Sequence, residues 1–322
     1  MSAPASYLWR ALADREDERL DHFLRRSLPD AERAGLQQCF ERAEVWVNGR
    51  PARKGQRLRQ GDEVGLLHMP SSRHRSPRPN PGLPLEVHYE DADLLIVEKP
   101  AGMHCHPLHE GDDDTLVSAL LARYPEIRGV GFRDSEPGIV HRLDRNTSGL
   151  MMVARHEEAF RALKRDADAQ VIRKGYLALC SGAGELRAGE TLHFCLLADP
   201  SDPRRVLALP EGAPLPSRAK AARPRERSSR ILSLTRIGEF KLVEIEITRG
   251  FRHQIRAQLA ASGHPIVGDA LYGGFPLPSL SRHFLHAATL DLPHPRSATR
   301  LHVQSPLPEE LRVALDALRT RA

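Results

Sequence analysis

The sequence predicts a protein of two domains built from both helices and strands, and three observations carry that expectation. At 322 residues the chain is longer than one hydrophobic core usually serves. Apolar runs of strand length, such as Leu94-Leu95-Ile96-Val97 and Leu150-Met151-Met152-Val153-Ala154, share the chain with stretches of helical spacing. Between residues 70 and 84, Pro70, Pro77, Pro79, Pro81 and Pro84 stand with Arg73, Arg75 and Arg78 and few apolar residues, the composition of a stiff, basic linker. The expected division is a small domain at 15–70, a linker at 71–84 and a larger domain at 85–322.

Composition narrows the class. Hydrophobic residues make up 40% and charged residues 28%, values of a soluble globular protein. No apolar run approaches the ~20 residues of a membrane span, and the first residues lack the basic-then-apolar layout of a signal peptide, so a cytoplasmic protein without membrane contact is expected. Cys39, Cys105, Cys180 and Cys195 are scattered with no C-x-x-C pair, which argues against a disulfide framework or a zinc site and for reduced thiols. The net charge of +5 is unevenly spread. Arg50, Arg53, Lys54, Arg57 and Arg59 crowd together without an acid. Arg218, Lys220, Arg223, Arg225, Arg227 and Arg230 are interrupted only by Glu226. A basic run is often no more than a solvated face, but two of them favour an anionic polymer as partner.

In chain order, residues 1–14 carry little pattern. Leu20, Phe23, Leu24 and Leu28 mark an amphipathic helix stopped by Pro29, and Leu36, Cys39 and Phe40 mark a second. Val45-Trp46-Val47 followed by Asn48-Gly49 is a hairpin signal, with a further short strand at Val64 to Leu67. After the linker comes the strand Leu94 to Val97, then Glu98-Lys99-Pro100-Ala101-Gly102. His104-Cys105-His106-Pro107-Leu108-His109 reads as a loop, since the proline and the crowded spacing do not present metal ligands on one face, and no metal is expected. Ile139-Val140 and Leu150 to Ala154 flank the turn-forming stretch Asn146-Thr147-Ser148-Gly149, which places Asp144 on a strand-to-strand loop. Arg142 and Arg145 flank its carboxylate, which should therefore be ionised and fit for a nucleophile or a base. A turn residue in a surface ion pair fits the local pattern as well.

His156 to Asp168 reads as a helix and Val171 to Leu179 as a strand. Residues 185–230, rich in proline and arginine, predict a long excursion with one or two short strands. Val243, Ile245 and Ile247 alternate with Glu244 and Glu246 in a strand. It runs through His253-Gln254-Ile255-Arg256 into a helix ended by Gly263, with Arg252 and Arg256 four apart and so on one face. Leu311, Leu315 and Leu318 mark a last helix.

Two resemblances add to this reading. Arg19-Leu20-Asp21, Val47-Asn48-Gly49 and Gly61-Asp62-Glu63-Val64 resemble the alpha-L RNA-binding motif, which implies an RNA-binding role for Arg50, Arg53, Lys54, Arg57 and Arg59. His141-Arg142-Leu143-Asp144 followed by Thr147-Ser148-Gly149-Leu150 resembles the active-site signature of the RluA-type pseudouridine synthases. Lys174-Gly175-Tyr176, His253-Gln254-Ile255-Arg256, Pro265-Ile266-Val267-Gly268-Asp269 and Pro306-Leu307-Pro308-Glu309-Glu310-Leu311 continue that likeness over most of residues 85–320. Phe251-Arg252 departs from it, where the family usually shows Arg-Thr.

The second resemblance implies an α+β catalytic domain on a mixed, largely antiparallel sheet, and an isomerase that turns uridine into pseudouridine in ribosomal or transfer RNA without cofactor or metal. Asp144 would be the nucleophile, Arg256 would orient it, and Tyr176 would lie against the base. On β-propensity alone that tyrosine fits a packing residue equally well. His141, Arg142, Lys174, Arg252 and His253 would bind substrate, Arg142 filling the gap left by an extruded uridine. A monomer is expected. A non-catalytic RNA-binding factor of the same fold would have lost the aspartate, the tyrosine or the late arginine, and all three are present. A hydrolase using Asp144 as base lacks the second carboxylate or metal ligands that such chemistry needs.

Overall fold

A computed structural model of the chain describes residues 7–28, 31, 33–68, 70, 77–109, 111–182, 184–216 and 224–320. Two compact units divide it, Met1–Ser76 and Pro77–Ala322. Among the described residues, no helix is long and apolar enough to cross a membrane.

The first unit holds strands β1 (Trp9–Leu12) and β2 (Glu18–Arg19), helices α1 (Leu20–Ser27) and α2 (Arg33–Glu41), and strands β3 (Val45–Val47), β4 (Arg50–Pro51), β5 (Arg57–Leu58) and β6 (Glu63–Leu66). Its sheet runs β1-β6-β3-β4, and β2 pairs separately with β5. The turn between β3 and β4 has positive φ at both Asn48 and Gly49, which matches the twist of the two strands and explains the choice of those residues. Leu20, Phe23 and Leu24 of α1 close over Val45, Val47, Val64 and Leu66 in one core. Strand β1 falls within the stretch that carries little sequence pattern. Trp9 and Ala11 face the core, but the outward positions hold Leu12 as well as Arg10, so the apolar–polar alternation that betrays a strand is blurred.

The second unit is built on one sheet. Its elements are β7 (Glu86–Glu90), β8 (Leu94–Lys99), α3 (Leu116–Arg123), β9 (Ser148–Ala154), α4 (Glu157–Asp168), β10 (Arg173–Cys180), β11 (Thr191–Ala198), β12 (Val206–Pro210), β13 (Arg225–Ile237), β14 (Phe240–Ile247), α5 (Gln254–Ala261), β15 (Leu285–Pro293), β16 (Arg300–Gln304) and α6 (Glu309–Arg319). The strand order is β12-β11-β13-β14-β10-β15-β9-β8-β7, with β16 added on β15. Only β9 and β15 pair in parallel among the described strands, so the sheet is mixed and largely antiparallel, as expected. The parallel contact is close: a Cβ on Gly149 would overlap the Ala287 backbone, so only glycine admits β15 there.

Two readings need correction. The excursion at 185–230 carries two whole strands and the start of a third, and they extend the central sheet instead of lying on it as short pieces; residues 217–223, with Arg218, Lys220 and Arg223, lie outside the described residues. Ile139-Val140 forms no strand and makes a single bridge, from Ile139 to Val153. Of the stretch read as linker, residues 71–76 lie outside the described residues, while Asn80 is tied to the larger unit by its amide to the Ser118 carbonyl at 2.9 Å and its side chain to the Asp113 carbonyl at 3.2 Å.

Candidate active site

The segment carrying Asp144 is clamped on several sides. Lys99, fully buried at the end of β8, donates to the carbonyls of Pro100 (2.7 Å), Met103 (3.0 Å) and Arg145 (3.0 Å). Burial pulls its ammonium down to about 8, so the three carbonyls are its compensation for leaving water. Arg145 Nε donates to the Gly102 carbonyl at 2.8 Å, and Gly102 N–H returns a bond to the Arg145 carbonyl at 2.9 Å. From the other side Arg282 reaches the Asn146 carbonyl and Ser148 Oγ, each at 3.0 Å, and His283 Nε2 meets Thr147 Oγ1 at 2.9 Å. A catalytic group needs such a fixed loop under an accessible tip. The Asp144 side chain is 22% exposed.

Its partner comes from 112 residues further along the chain. Asp144 Oδ2 accepts from Arg256 Nη1 at 3.0 Å. The same guanidinium is held from behind by Asp269, with Nε to Oδ2 at 2.7 Å and Nη2 to Oδ1 at 2.9 Å. That bidentate grip leaves Nη1 aimed at Asp144. Burial opposes the charge on Arg256, but the two carboxylates outweigh it and keep the guanidinium protonated. His253 Nε2 lies 3.9 Å from the same Asp144 oxygen, and its Nδ1 is 3.0 Å from the Tyr272 hydroxyl.

Tyr176 stands on β10, paired with Ile245 on one side and Ala287 on the other. Burial, and then the negative charge of Asp144, push its phenol well above the usual range. Asp144, Tyr176, His253 and Arg256 thus come together around one carboxylate.

The other expected residues go elsewhere. Arg142 donates to Glu136 Oε1 at 2.9 Å and Arg145 to Gly102, so neither sequence neighbour pairs with Asp144. Arg252 does not share a helix face with Arg256, because α5 begins at Gln254; its Nη2 donates to the Arg205 carbonyl at 2.7 Å. His141 Nε2 accepts the Met152 amide at 3.0 Å, and burial with the nearby Lys174 charge lowers its pKa to about 3. Lys174 is buried on β10, two residues from Tyr176, and burial lowers it to about 8. In the histidine-rich loop, His106 Nε2 meets Glu136 at 3.3 Å and the Cys105 thiol lies 3.3 Å from the Leu143 carbonyl. A metal-like grouping occurs elsewhere, at Asp91, Asp93 and His294, but Tyr89, His156, His294, Arg296 and two backbone amides already bond these carboxylates. Arg50, Arg53, Arg57 and Arg59 are exposed in the first unit and Lys54 is half-buried.

Five residues of this centre escape a local reading. Asp269 ends a stretch that resembles the family and Tyr272 follows three residues later, but nothing local reveals the chemistry of either. Lys99, Arg282 and His283 are charged or polar residues next to buried strands. Their one signal is a polar side chain where the pattern calls for burial.

Comparison with known proteins shows the family. The family described as "RNA pseudouridylate synthase" matches residues 93–261. An "Uncharacterized RNA pseudouridine synthase" of Chloroflexus aurantiacus is 41% identical over 95% of this chain and 91% of its own length. "Ribosomal large subunit pseudouridine synthase D" of Xanthomonas campestris is 33% identical over 94% of this chain and 89% of its own. Among solved structures, "Human RNA Pseudouridylate Synthase Domain Containing 4" shares the fold, with a TM-score of 0.55 at 20% identity over 73% of this chain and 93% of that one. With a carboxylate, its guanidinium clamp and a buried tyrosine on a mixed sheet, and with relatives matching along nearly its whole length, the chain belongs to the RNA pseudouridylate synthases, isomerases that act on RNA.

Proposed function

We propose that this chain converts uridine to pseudouridine in large-subunit ribosomal RNA, with Asp144 as the nucleophile. The observation that carries the chemistry is the chain Asp269–Arg256–Asp144, which aims one oxygen of a partly accessible carboxylate from a clamped loop. The name of the Xanthomonas relative supports the RNA assignment. The reaction breaks the bond from C1′ to N1, turns the uracil and forms the bond from C1′ to C5; the proton on C5 leaves and N1 gains one. A carboxylate serves each route to that end: attack on C1′, attack on C6, or removal of the 2′ proton. Tyr176 lies against the freed base, and its neutral hydroxyl relays the proton lost from C5, giving up its own proton as it accepts that one. The target uridine leaves its stack to reach Asp144, and Arg142, half exposed two residues away, fills the space left behind.

Asp144→Asn tests this directly. The substitution keeps size and one acceptor, and removes the charge and the nucleophilic oxygen. Release of tritium from uridine labelled at C5, followed in single turnover, is expected to fall by several orders of magnitude while RNA affinity and fold persist. Normal release from a folded variant sinks the role of Asp144. Mapping pseudouridines in cells with and without the protein is expected to show a site lost from large-subunit ribosomal RNA. A loss confined to transfer RNA overturns the RNA assignment.

A further inference from the structure

His253 precedes α5 in the left-handed region, with φ of 54°, so the backbone bends sharply to bring its ring to the Asp144 carboxylate. What the ring presents there depends on where its hydrogen sits, and Tyr272 decides that. The Tyr272 hydroxyl oxygen accepts the Val206 N–H at 2.8 Å and lies 3.0 Å from His253 Nδ1. Around its ring are the guanidiniums of Arg256 at 5.1 Å and Arg205 at 5.5 Å, groups that donate and never accept. Burial raises the phenol, so it keeps its proton, and the one acceptor for that proton among the described residues is His253 Nδ1. An imidazole that accepts at Nδ1 and is neutral carries its hydrogen on Nε2. Burial and the charges of Arg256 and Arg252 hold the ring neutral against the pull of Asp144.

Nε2 faces Asp144 Oδ2 across 3.9 Å, beyond hydrogen-bond reach, so its N–H points beside the carboxylate without being satisfied by it. We propose that His253, fixed by Tyr272 as the Nε2–H tautomer, donates a hydrogen bond to an oxygen of the target uridine seated against Asp144. Tyr272 is then a positioning residue, and so is the start of β12, whose Val206 amide occupies the Tyr272 oxygen and turns its proton toward the histidine. The excursion between β10 and β14 acquires a task by this route. The inference rests on the reading of Asp144 as nucleophile.

Two replacements of His253 separate a donor from a backbone role. The amide nitrogen of Gln reaches about as far as Nε2, whereas that of Asn stops near Nδ1. Asn, however, is the residue better suited to the left-handed conformation. A purely conformational role therefore ranks His253→Asn above His253→Gln, and the donor role ranks them the other way. In single turnover on an unmodified large-subunit ribosomal RNA transcript labelled at C5 of uridine, His253→Gln is expected within about 10-fold of the parent, and His253→Asn about 100-fold below it, the loss typical of one missing donor in a transition state. Asn equal to or faster than Gln overturns the proposal.

A second arm needs no turnover. In protein labelled with ¹⁵N-histidine, the His253 signals, identified by their loss in His253→Gln, are expected to show a bare Nδ1 and a protonated Nε2, and Tyr272→Phe is expected to mix the two tautomers. A protonated Nδ1 in the parent overturns the proposal. A parent enzyme that releases no tritium from this RNA overturns the proposed function and the donor role with it, while the spectrum still decides the tautomer.

Discussion

At the scale of single residues, burial fixes the protonation of Tyr176. Burial and a neighbouring negative charge both oppose ionisation of Tyr176, so its hydroxyl remains a hydroxyl across the working range of pH. Tyr176→Phe keeps the ring and removes only that group. RNA affinity should persist while single-turnover tritium release falls roughly 100-fold, the scale of one proton-transfer group; an unchanged rate leaves the tyrosine a packing residue. Asp144 was legible in the sequence because its motif is local and long. Its partner was legible only through the order of motifs, not through spacing. The adjacent Arg142 and Arg145 look like the natural pair, but neighbouring side chains of an irregular strand-like segment diverge, and each guanidinium finds a closer acceptor in Glu136 or Gly102. Asp269, which aims Arg256, stands in a matching stretch, but its hold on Arg256 has no signature short of the folded structure.

At the scale of elements, the helices and buried strands could be read because each buries a regular stripe. The strands of the 185–230 excursion could not. β11 alternates weakly, with Leu192 buried between exposed Thr191 and His193 and then half-buried Phe194 and Cys195, and β13 is largely arginine and serine at its start. Their partners supply what their own pattern lacks. The polar cluster that Glu98 of β8 and His286 of β15 form across β9 makes a testable case. Glu98 on β8 is pushed up to about 7, chiefly by burial, and sits 3.9 Å from His286 on β15 and 3.4 Å from His88 on β7. His286 is held down to about 4 by burial and meets Ser148 Oγ at 3.0 Å, next to the Asp144 loop. A carboxyl whose pKa is raised on folding binds its proton more tightly in the native state. Its contribution is full below about 4.5 and is lost as pH rises to about 7. Glu98→Gln should therefore gain stability relative to the parent between pH 5 and 7.5, on the order of 2 kcal/mol by urea unfolding. An equal pH slope in both proteins would show that Glu98 is not the group responsible.

At the scale of the whole molecule, the chain divides into two compact units, one holding Asp144, Tyr176 and Arg256 and the other a cluster of arginines. In the first unit Arg57 is tied to Asp17 at 3.1 Å, whereas Arg50, Arg53 and Arg59 are exposed and make no side-chain ion pair among the described residues. They stand on or beside the short strands β4 and β5, whose turns present charge and whose few apolar residues, Ala52 and Leu58, are buried in the small core. Arginine side chains with no ion pair among the described residues are available for phosphates. If they bind RNA, each displaces condensed counterions, and each contact adds about 0.7–0.9 to the slope of log affinity against log salt. Replacing Arg50, Arg53 and Arg59 together by Ala should then lower that slope by about 2 and weaken binding to large-subunit ribosomal RNA at low salt. Turnover at saturating RNA should be unchanged, because Asp144, Tyr176 and Arg256 all belong to the second unit. Leaving Arg57 in place keeps its bond to Asp17 and guards against a loss of fold passing for a loss of charge. A triple variant with parental affinity and parental salt slope would remove RNA binding from these three residues.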